Sequence, residues 1–304
     1  MQDAAGTHPL APRAVTLPDE IRTDIEHDLG VRIERVDGVG GGCISPAYRL
    51  RCADGVSIFL KTAPPSAPDD MLAQEAVSLE RIAATDTVRV PRVLARPGTW
   101  LALEWLEPAR GSDAGWAVLG AELARMHRSS AEQYGWESPN FIGPLPQANE
   151  RSHDWPSFWG AQRLRPQLRQ ARDRLGGEAI ERFEQLLEEL DERLSAAVPD
   201  GASLLHGDLW AGNVHFTAGG VAVIDPSSYY GHREVDLAMA ALFGGFPPAF
   251  FDAYSAEWPL HEGADARRGI YQLYYLLVHV NLFGGGYVAQ TGGVLASVLS
   301  RRPD

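Results

Sequence analysis

The segment LLHGDLWAGNVHF, residues 204–216, places several polar side chains between two apolar runs. Asp208 and Asn213 are separated by four residues on what should be one loop, and Asp225 ends the apolar run VAVID that follows. A carboxylate and an amide are suitable oxygen ligands for Mg²⁺, which usually keeps phosphates and waters in its other positions. Asp208 would then be the base that accepts a proton from an attacking hydroxyl. The residue types and the Asp-x-x-x-x-Asn spacing predict phosphoryl transfer from ATP.

A second group of residues, nearer the N-terminus, could hold the nucleotide. Lys61 ends an apolar run that is typical of a strand, and Glu75 lies on the apolar face of a predicted helix. A buried carboxylate is costly unless a cation meets it, so Lys61 is the expected partner, with Arg81 and Arg92 as alternatives. The pair would supply the lysine that phosphoryl transfer places on the nucleotide.

Three consecutive glycines, Gly40, Gly41 and Gly42, lie between two predicted strands. Their backbone amides could approach a triphosphate closely, although a turn is the commoner role of such a run. The run is not a Walker A loop, because no Gly-Lys-Ser/Thr follows it. It is not a dinucleotide fingerprint either, because a strand comes next instead of a helix. Only the order of all these features along one chain predicts a kinase.

The elements that must position these residues are indicated by hydrophobic spacing. Alternating runs predict strands before Lys61, and Asp54-Gly55 favours a hairpin, because glycine supplies the positive φ of a tight turn. Beyond Glu107, apolar residues recur mainly at helical spacing. The predicted strands cover residues 31–39, 47–52, 56–61, 101–105 and 221–225, and the predicted helices cover residues 69–84, 115–130, 178–198 and 270–286.

These elements predict an α+β protein with two lobes. The N-terminal lobe, residues 1–106, would bind the nucleotide with a small antiparallel sheet and one helix, and its first 15 residues should be mobile. The C-terminal lobe, residues 107–304, would be larger and mainly helical, and would carry the catalytic and acceptor-binding residues.

The composition narrows the possible partners. The 304 residues carry a formal net charge of −13, spread along the chain, which argues against nucleic acid and anionic membranes. No run approaches the roughly 18 apolar residues of a membrane span, and the N-terminus does not resemble a secretion signal. Two cysteines, Cys43 and Cys52, do not make a disulfide framework, so we expect a cytoplasmic protein.

In these motifs the chain resembles the fructosamine kinase (ketosamine kinase) family, which shares the protein-kinase-like fold of aminoglycoside and choline kinases. The resemblance covers residues from about 20 to 290. Aminoglycoside kinases typically have other residues where this chain has Trp210-Ala211 and Asp225-Pro226, which favours the fructosamine branch. The matching motifs are GGGCISPAYRL at 40–50, QEAVSLERI at 74–82, NFIGPLPQ at 140–147, FWGAQRLRPQL at 158–168, HGDLWAGN at 206–213 and IDPSSYYGHREVDLA at 224–238.

The resemblance implies a role for each matching position. Asp208 would be the general base, and Asn213 with Asp225 would hold Mg²⁺. Lys61, fixed by Glu75, would contact the α- and β-phosphates of ATP. The remaining roles are a hinge whose backbone meets the adenine edge at Glu104, Trp105 and Leu106, glycine-loop contacts at Gly40, Gly41 and Gly42, and supporting hydrogen bonds from His206 and Asp236.

The resemblance also implies an acceptor, the 3-hydroxyl of a ketosamine on a small amine or a protein lysine, whose phosphorylation leads to deglycation. Trp210, Tyr229 and Tyr230 could offer flat faces to this acceptor, although aromatic residues more often belong to a core. A kinase of another small molecule, such as an aminoglycoside or a choline-like alcohol, and an inactive nucleotide-binding module are the alternatives. Cys43 could form a disulfide between two chains, so a monomer and a redox-linked dimer both remain open.

Overall fold

The computed structural model describes residues 15–40, 45–65 and 67–301. The predictions for Gly41, Gly42, Cys43 and the first 14 residues lie outside this part of the chain. The protein divides into two compact units. The first unit comprises the residues up to Ala76 together with Pro91–Glu107, and the second comprises Val77–Val90 together with the chain from Pro108 onward.

The first unit is built on a five-stranded antiparallel sheet of β1 (Ile33–Val39), β2 (Ala47–Cys52), β3 (Ser57–Thr62), β4 (Val93–Ala95) and β5 (Trp100–Glu104). The order of the strands in the sheet is β1-β2-β3-β5-β4. The predicted hairpin is present, because Gly55 has a φ of 83° and the Val56 N–H donates to Asp54 Oδ1 at 3.0 Å. The pairing of β3 with β2 and β5 places Lys61 in the middle of the sheet, opposite Ala47 and Leu101.

Two helices, not one, accompany this sheet. Helix α1, Asp19–Leu29, was not predicted, because its sequence is largely charged and only Ile21, Ile25 and Leu29 form an apolar row. Ile25 is fully buried in the same core as residues of the sheet. The second helix, α2 (Met71–Ala83), was predicted and begins in the first unit and ends in the second. Its expected apolar residues, Leu72, Ala76, Leu79 and Ile82, are each at most 1% exposed.

The second unit is mainly helical, as expected. It also contains one three-stranded sheet and two two-stranded sheets. The strands are β6 (Ser130–Ala131), β7 (Asn140–Ile142), β8 (Leu145–Gln147), β9 (Ala202–Leu204), β10 (Val214–Thr217), β11 (Gly220–Val223) and β12 (Tyr230–Gly231). Their orders in the sheets are β12-β9-β6, β10-β11 and β7-β8. The helices are α3 (Asp113–His127), α4 (Trp155–Phe158), α5 (Arg165–Ala171), α6 (Gly177–Glu188), α7 (Leu190–Leu194), α8 (Glu234–Leu242), α9 (Pro248–Glu257), α10 (Ala264–Phe283) and α11 (Gly286–Ser300).

Helix α10 forms the centre of this unit and packs against α5, α8 and α11. Its apolar sequence was expected to form a buried helix, and Tyr271, Tyr274 and Tyr275 are each at most 1% exposed. A π-helical turn, Trp159–Leu164, joins α4 to α5 and was not predicted. Within the described residues, no helix combines the length and apolarity needed to cross a bilayer.

Helices α3 and α9 approach each other closely at Gly120. A Cβ atom added to Gly120 would lie 2.2 Å from the carbonyl oxygen of Phe250, so only glycine fits at this crossing. The two helices also carry His127 and Tyr254, whose side chains are hydrogen-bonded to each other at 2.8 Å. The crossing therefore fixes a histidine that is important for the loop described below.

We expect Gly120→Ala to lower the unfolding free energy by about 2 kcal/mol, because the added methyl group must push the α9 backbone away. Gly292→Ala in α11 is the matched control, since its Cβ would meet nothing within 4 Å. That exchange should instead stabilise the protein by about 0.5–1 kcal/mol, the usual gain in helix propensity. Urea unfolding of both variants measures the difference, and equal effects would contradict the close packing.

Candidate active site

The loop between β9 and β10 brings Asp208 and Asn213 together. Asn213 lies in a short 3₁₀ turn, and its Nδ2 donates to the Asp208 backbone oxygen at 2.9 Å and to Asp208 Oδ2 at 3.3 Å. Because the amide nitrogen faces Asp208, the amide oxygen of Asn213 is the atom that would coordinate a cation. Asp208 is half-buried and Asn213 is 4% exposed.

The β10–β11 hairpin brings Asp225 to the same end. Val214 pairs with Val223, and the next residue, Ile224, donates its N–H to the Asn213 backbone oxygen at 3.0 Å. Asp225 follows directly in a left-handed conformation, with a φ of 57°. Non-glycine residues seldom adopt this conformation, although aspartate tolerates it better than most. Backbone strain of this kind is often found at functional sites.

Burial, together with the negative charge of Asp225, raises the pKa of Asp208 to about 7, while the hydrogen bond from Asn213 opposes the shift. A carboxylate with a pKa near the working pH is suited to accept a proton from a reacting hydroxyl. The two neighbouring carboxylates also create a local negative field that favours a cation.

The donor atoms at this site fit a magnesium ion. Asn213 and Asp225 offer one amide and one carboxylate, the hard oxygen ligands that Mg²⁺ prefers when phosphates and waters complete its shell. The described residues contain no cluster of three or more His, Cys, Asp and Glu side chains able to hold a metal on their own. Phosphates of a bound nucleotide and waters would supply the other ligands of an ion held here.

Asp236 fixes the start of the loop that carries Asp208. Its carboxylate accepts the backbone N–H of His206 at 2.7 Å, the N–H of Gly207 at 2.9 Å, and His127 Nε2 at 3.1 Å. Burial opposes ionisation of Asp236, but the hydrogen bonds from His127 and from the Gly207 N–H keep its pKa below the ordinary value. The buried carboxylate thus remains charged and holds two consecutive N–H groups.

His206 ties the loop to the end of β11. Burial lowers its pKa, so the ring is neutral. Its Nε2 donates to the Ile224 carbonyl oxygen at 3.0 Å, and its Nδ1 accepts the Asp208 N–H at 3.2 Å. One imidazole therefore links the backbone just before Asp225 to the backbone of Asp208, which sets the positions of both carboxylates.

In the first unit, Lys61 pairs with Glu75. Lys61 Nζ lies 2.7 Å from Glu75 Oε1, and Lys61 is only 3% exposed. Arg81, an alternative partner for Glu75, instead forms an ion pair with Glu137 and donates to the Tyr230 hydroxyl at 3.5 Å. The ammonium group of the buried Lys61 is thus oriented by an ion pair with the partly exposed Glu75.

The last residue of β5 and the two residues after it are the three expected to meet adenine. The N–H of Glu104 donates to the Arg92 carbonyl oxygen at 2.9 Å, so that group is already used. Trp105 donates its indole N–H to Glu107 at 2.7 Å and lies under the guanidinium group of Arg49. Leu106 is 7% exposed. Of the three predicted glycines, Gly40 alone is described, and it is exposed.

The three predicted acceptor-binding aromatics have different surroundings. Trp210 is partly exposed, and its indole occupies the space into which a Cβ of Gly212 would project. Tyr230 is also partly exposed. Tyr229 is fully buried and its ring carries the Arg163 guanidinium group at 3.9 Å, so it offers no face to an acceptor. The expectation for Tyr229 is corrected accordingly, since the general preference of aromatics for the core applies here.

Two residues that support the loop were missed by the sequence analysis. His127 reaches Asp236 from the end of α3, and Tyr275 on α10 donates its hydroxyl to the Gly207 carbonyl oxygen at 2.8 Å. A histidine in the last turn of a helix and a tyrosine in an apolar run carry no distinctive signal. Only the tertiary packing brings them to the loop.

We expect Asp208→Asn to raise the melting temperature at pH 8 in the absence of divalent cations and nucleotide. The pKa of Asp208, about 7, exceeds the roughly 3.9 of an unfolded aspartate. The folded protein therefore binds more protons between these values, and this carboxyl makes the fold less stable as the pH rises from about 4 to 7.

The gain in melting temperature should shrink when the pH is lowered to 5, because Asp208 is then protonated and neutral in the folded protein. Asp252→Asn, which removes an exposed carboxylate of α9, controls for the loss of one surface charge. Scanning calorimetry at pH 5 and pH 8 measures the effect. A gain in melting temperature that is the same at pH 5 and pH 8 would contradict the conclusion that the ionised Asp208 carboxylate destabilises the fold.

Comparison with known proteins confirms the resemblance and the predicted fold class. The chain is 39% identical to a probable ketoamine kinase of Synechocystis over 274 residues, which are 88% of this chain and 91% of that protein. It is 37% identical to a chloroplastic protein-ribulosamine 3-kinase of Arabidopsis thaliana, over 88% of this chain and 83% of that protein.

A solved structure gives the same result. The crystal structure of a putative fructosamine-3-kinase from Thermobifida fusca superimposes with a TM-score of 0.87 at 35% identity, covering 94% of this chain and 100% of that one. The sequence model of the family described as fructosamine kinase matches residues 19–301. Because this match spans nearly the whole described chain, the protein belongs to the fructosamine kinase family.

Proposed function

We propose that this protein transfers the γ-phosphate of ATP to the 3-hydroxyl of a ketosamine, the adduct of a sugar with an amine. The observation that carries the proposal is the arrangement of Asp208, Asn213 and Asp225 at one end of the β10–β11 hairpin, with the pKa of Asp208 raised to about 7. Membership of a family of kinases supports the same reaction.

In the proposed reaction, Asp208 orients the attacking hydroxyl and accepts its proton as the new oxygen–phosphorus bond forms. Asn213 and Asp225 would hold Mg²⁺, which neutralises negative charge on the phosphates when it is bound. Lys61 would donate to the α- and β-phosphates. Its ion pair with Glu75 keeps the ammonium group in one orientation, which lowers the entropic cost of that contact.

The remaining contacts of ATP are proposed from the sequence. Backbone groups of Glu104 and Leu106 would meet the adenine edge, with Trp105 between them, and the glycine run that starts at Gly40 would cover the phosphates. Since the N–H of Glu104 already donates within the sheet, its carbonyl oxygen is the group proposed for the adenine amine.

The acceptor is proposed to be a small ketosamine or a glycated lysine of a protein. Trp210 and Tyr230, both partly exposed in the second unit, have the flat surfaces that pack against a sugar. The third carbon lies next to the ketone carbon, so loss of a proton from the first carbon would expel the phosphate from the third. Hydrolysis of the resulting imine by water would then free the amine. The outcome of the reaction would be deglycation, for which we propose a cytoplasmic location.

Asp208→Ala should lower kcat about 100-fold or more, because the proton acceptor is lost from the transition state. Nucleotide binding, measured by calorimetry, should persist, since no phosphate contact is assigned to Asp208. Asp252→Ala is the control for removal of a carboxylate elsewhere and should keep normal turnover. Near-normal activity of Asp208→Ala would contradict the assignment of the base.

Phosphate transfer from ATP should occur to fructosyl-lysine or ribulosyl-lysine, and NMR of the product should place the phosphate on the third carbon of the sugar. An aminoglycoside and choline belong in the same panel, because kinases of these compounds share the predicted fold. Phosphorylation of one of them, without any of the ketosamines, would overturn the proposed substrate while leaving the proposed chemistry of Asp208 in place.

A further inference from the structure

The β7–β8 hairpin of the second unit carries a cluster of buried amide side chains that the proposed chemistry does not use. Asn140 and Gln147 face each other in the hairpin, and Asn149 follows it. They are 2%, 1% and 4% exposed, respectively. Burying three primary amides is costly unless their polar atoms find partners, so their hydrogen bonds show what the cluster holds in place.

The three amides are joined through Asn140. Its Oδ1 accepts from Gln147 Nε2 and from Asn149 Nδ2, both at 2.8 Å. Gln147 Oε1 in turn accepts the Tyr274 hydroxyl of α10 at 2.7 Å. We call these four residues the amide network. Because each bond fixes the orientation of the next side chain, the network behaves as one unit.

The network ends on the backbone that follows Asp225. Asn140 Nδ2 donates to the Ser228 carbonyl oxygen at 2.8 Å, and Gln147 Nε2 donates to the Ser227 carbonyl oxygen at 3.3 Å. These serines are two and three residues beyond Asp225 in the chain. The amide network thus fixes the backbone that follows Asp225, whereas His206 fixes the backbone that precedes it.

The same segment lies directly against the loop that carries Asp208. The Ser227 N–H donates to the His206 carbonyl oxygen at 2.8 Å. A Cβ on Gly207, whose φ is 83°, would lie 2.1 Å from the Ser227 carbonyl oxygen. The carbonyl that Gln147 holds is therefore in contact with the residue immediately before Asp208, and a shift of one would move the other.

A buried arginine supports the network from the opposite side. Arg163, in the π-helical turn, is fully buried and donates to Asn149 Oδ1 at 2.7 Å and to the Ala148 carbonyl oxygen at 2.5 Å. Its guanidinium group lies over the ring of Tyr229 at 3.9 Å. Arg163 forms no ion pair among the described residues. Its buried guanidinium group instead orients the side-chain amide of Asn149.

We propose that the amide network is a positioning device for the reaction. Gln147 and Asn140, anchored by Tyr274 and Arg163, hold the Ser227 and Ser228 carbonyl groups and thereby set Asp225 relative to Asp208 and Asn213. None of the network residues touches the substrate in this inference. The inference rests on the proposed function, because it assigns a purpose to the geometry of the same site.

A matched pair of tyrosines on α10 tests the inference. Tyr274 and Tyr271 are 1% and 0% exposed, and each makes one side-chain hydrogen bond through its hydroxyl. Tyr274 donates to Gln147 in the network, whereas Tyr271 accepts from Trp155 Nε1 at 3.1 Å outside it. Tyr274→Phe and Tyr271→Phe therefore remove similar groups at similar burial, and should lower the melting temperature by similar amounts.

Two quantities are measured. The first is the affinity for Mn²⁺ in the presence of a non-hydrolysable ATP analogue, determined by electron paramagnetic resonance. The second is the rate of ketosamine phosphorylation. Tyr274→Phe should weaken Mn²⁺ binding and lower kcat, each about five-fold, the effect of one neutral hydrogen bond, while KM for the acceptor stays constant. Tyr271→Phe should leave both values within about two-fold of wild type. Gln147→Leu, which removes three bonds, should have a larger effect than Tyr274→Phe.

Equal behaviour of the two tyrosine variants, or a folded Gln147→Leu protein with normal Mn²⁺ binding, would overturn the inference. Failure of the wild-type protein to bind Mn²⁺ with the nucleotide analogue would overturn it as well. Failure of the wild-type protein to phosphorylate any ketosamine while it binds Mn²⁺ normally would contradict the proposed function alone. In that case the metal-binding comparison between the two tyrosines would still decide the role of the network.

Discussion

The β10–β11 hairpin holds the carboxylates of Asp208 and Asp225 close together. The polar structure around the site in the second unit depends on this constraint. The register of β10 with β11 brings Asn213 opposite Ile224, so Asp225 must lie near the loop of Asp208. Burial and the charge of Asp225 make ionisation of Asp208 unfavourable. Such an arrangement would relax if its backbone were free to move, and much of the surrounding polar structure prevents that movement.

The groups that prevent it act on the backbone more than on the reacting side chains. Asp236 binds two consecutive N–H groups, His206 bridges two segments, and Tyr275 holds the Gly207 carbonyl oxygen. Apart from Asp236, these supports are neutral in the folded protein. They therefore restrict the geometry of the loop without themselves adding positive charge beside Asp208 and Asp225.

The sequence was most informative where a residue type has few alternative roles. The strands around Lys61, the Asp54-Gly55 turn and helix α2 follow directly from alternation, glycine conformation and helical spacing. The grouping of Asp208 with Asn213 also follows from spacing, because both lie on one short loop. Asp225 could be placed by its position at a strand end. Helix α1 was not predicted, because most of its residues are charged and only one row of its surface is apolar.

Features that depend on several distant segments could not be predicted in this way. His127, Tyr275 and the amide network reach the Asp208 loop from separate helices and a hairpin, and none has a local signal. NFIGPLPQ was visible as a motif, but its amides acquire partners only when the hairpin packs against Ser227 and Ser228. Tyr229 was misplaced for the same reason, since adjacency to Tyr230 in the chain says nothing about which ring is enclosed.

The left-handed backbone at Asp225 limits which residue types can replace aspartate at this position. Glycine, asparagine and aspartate tolerate that conformation, whereas most other side chains would strain it. An exchange to asparagine would keep the shape of the segment and remove its charge. If Asp225 holds the metal ion as proposed, this exchange would weaken phosphoryl transfer without disturbing the fold, so a chain with asparagine here could persist as an intact binding protein.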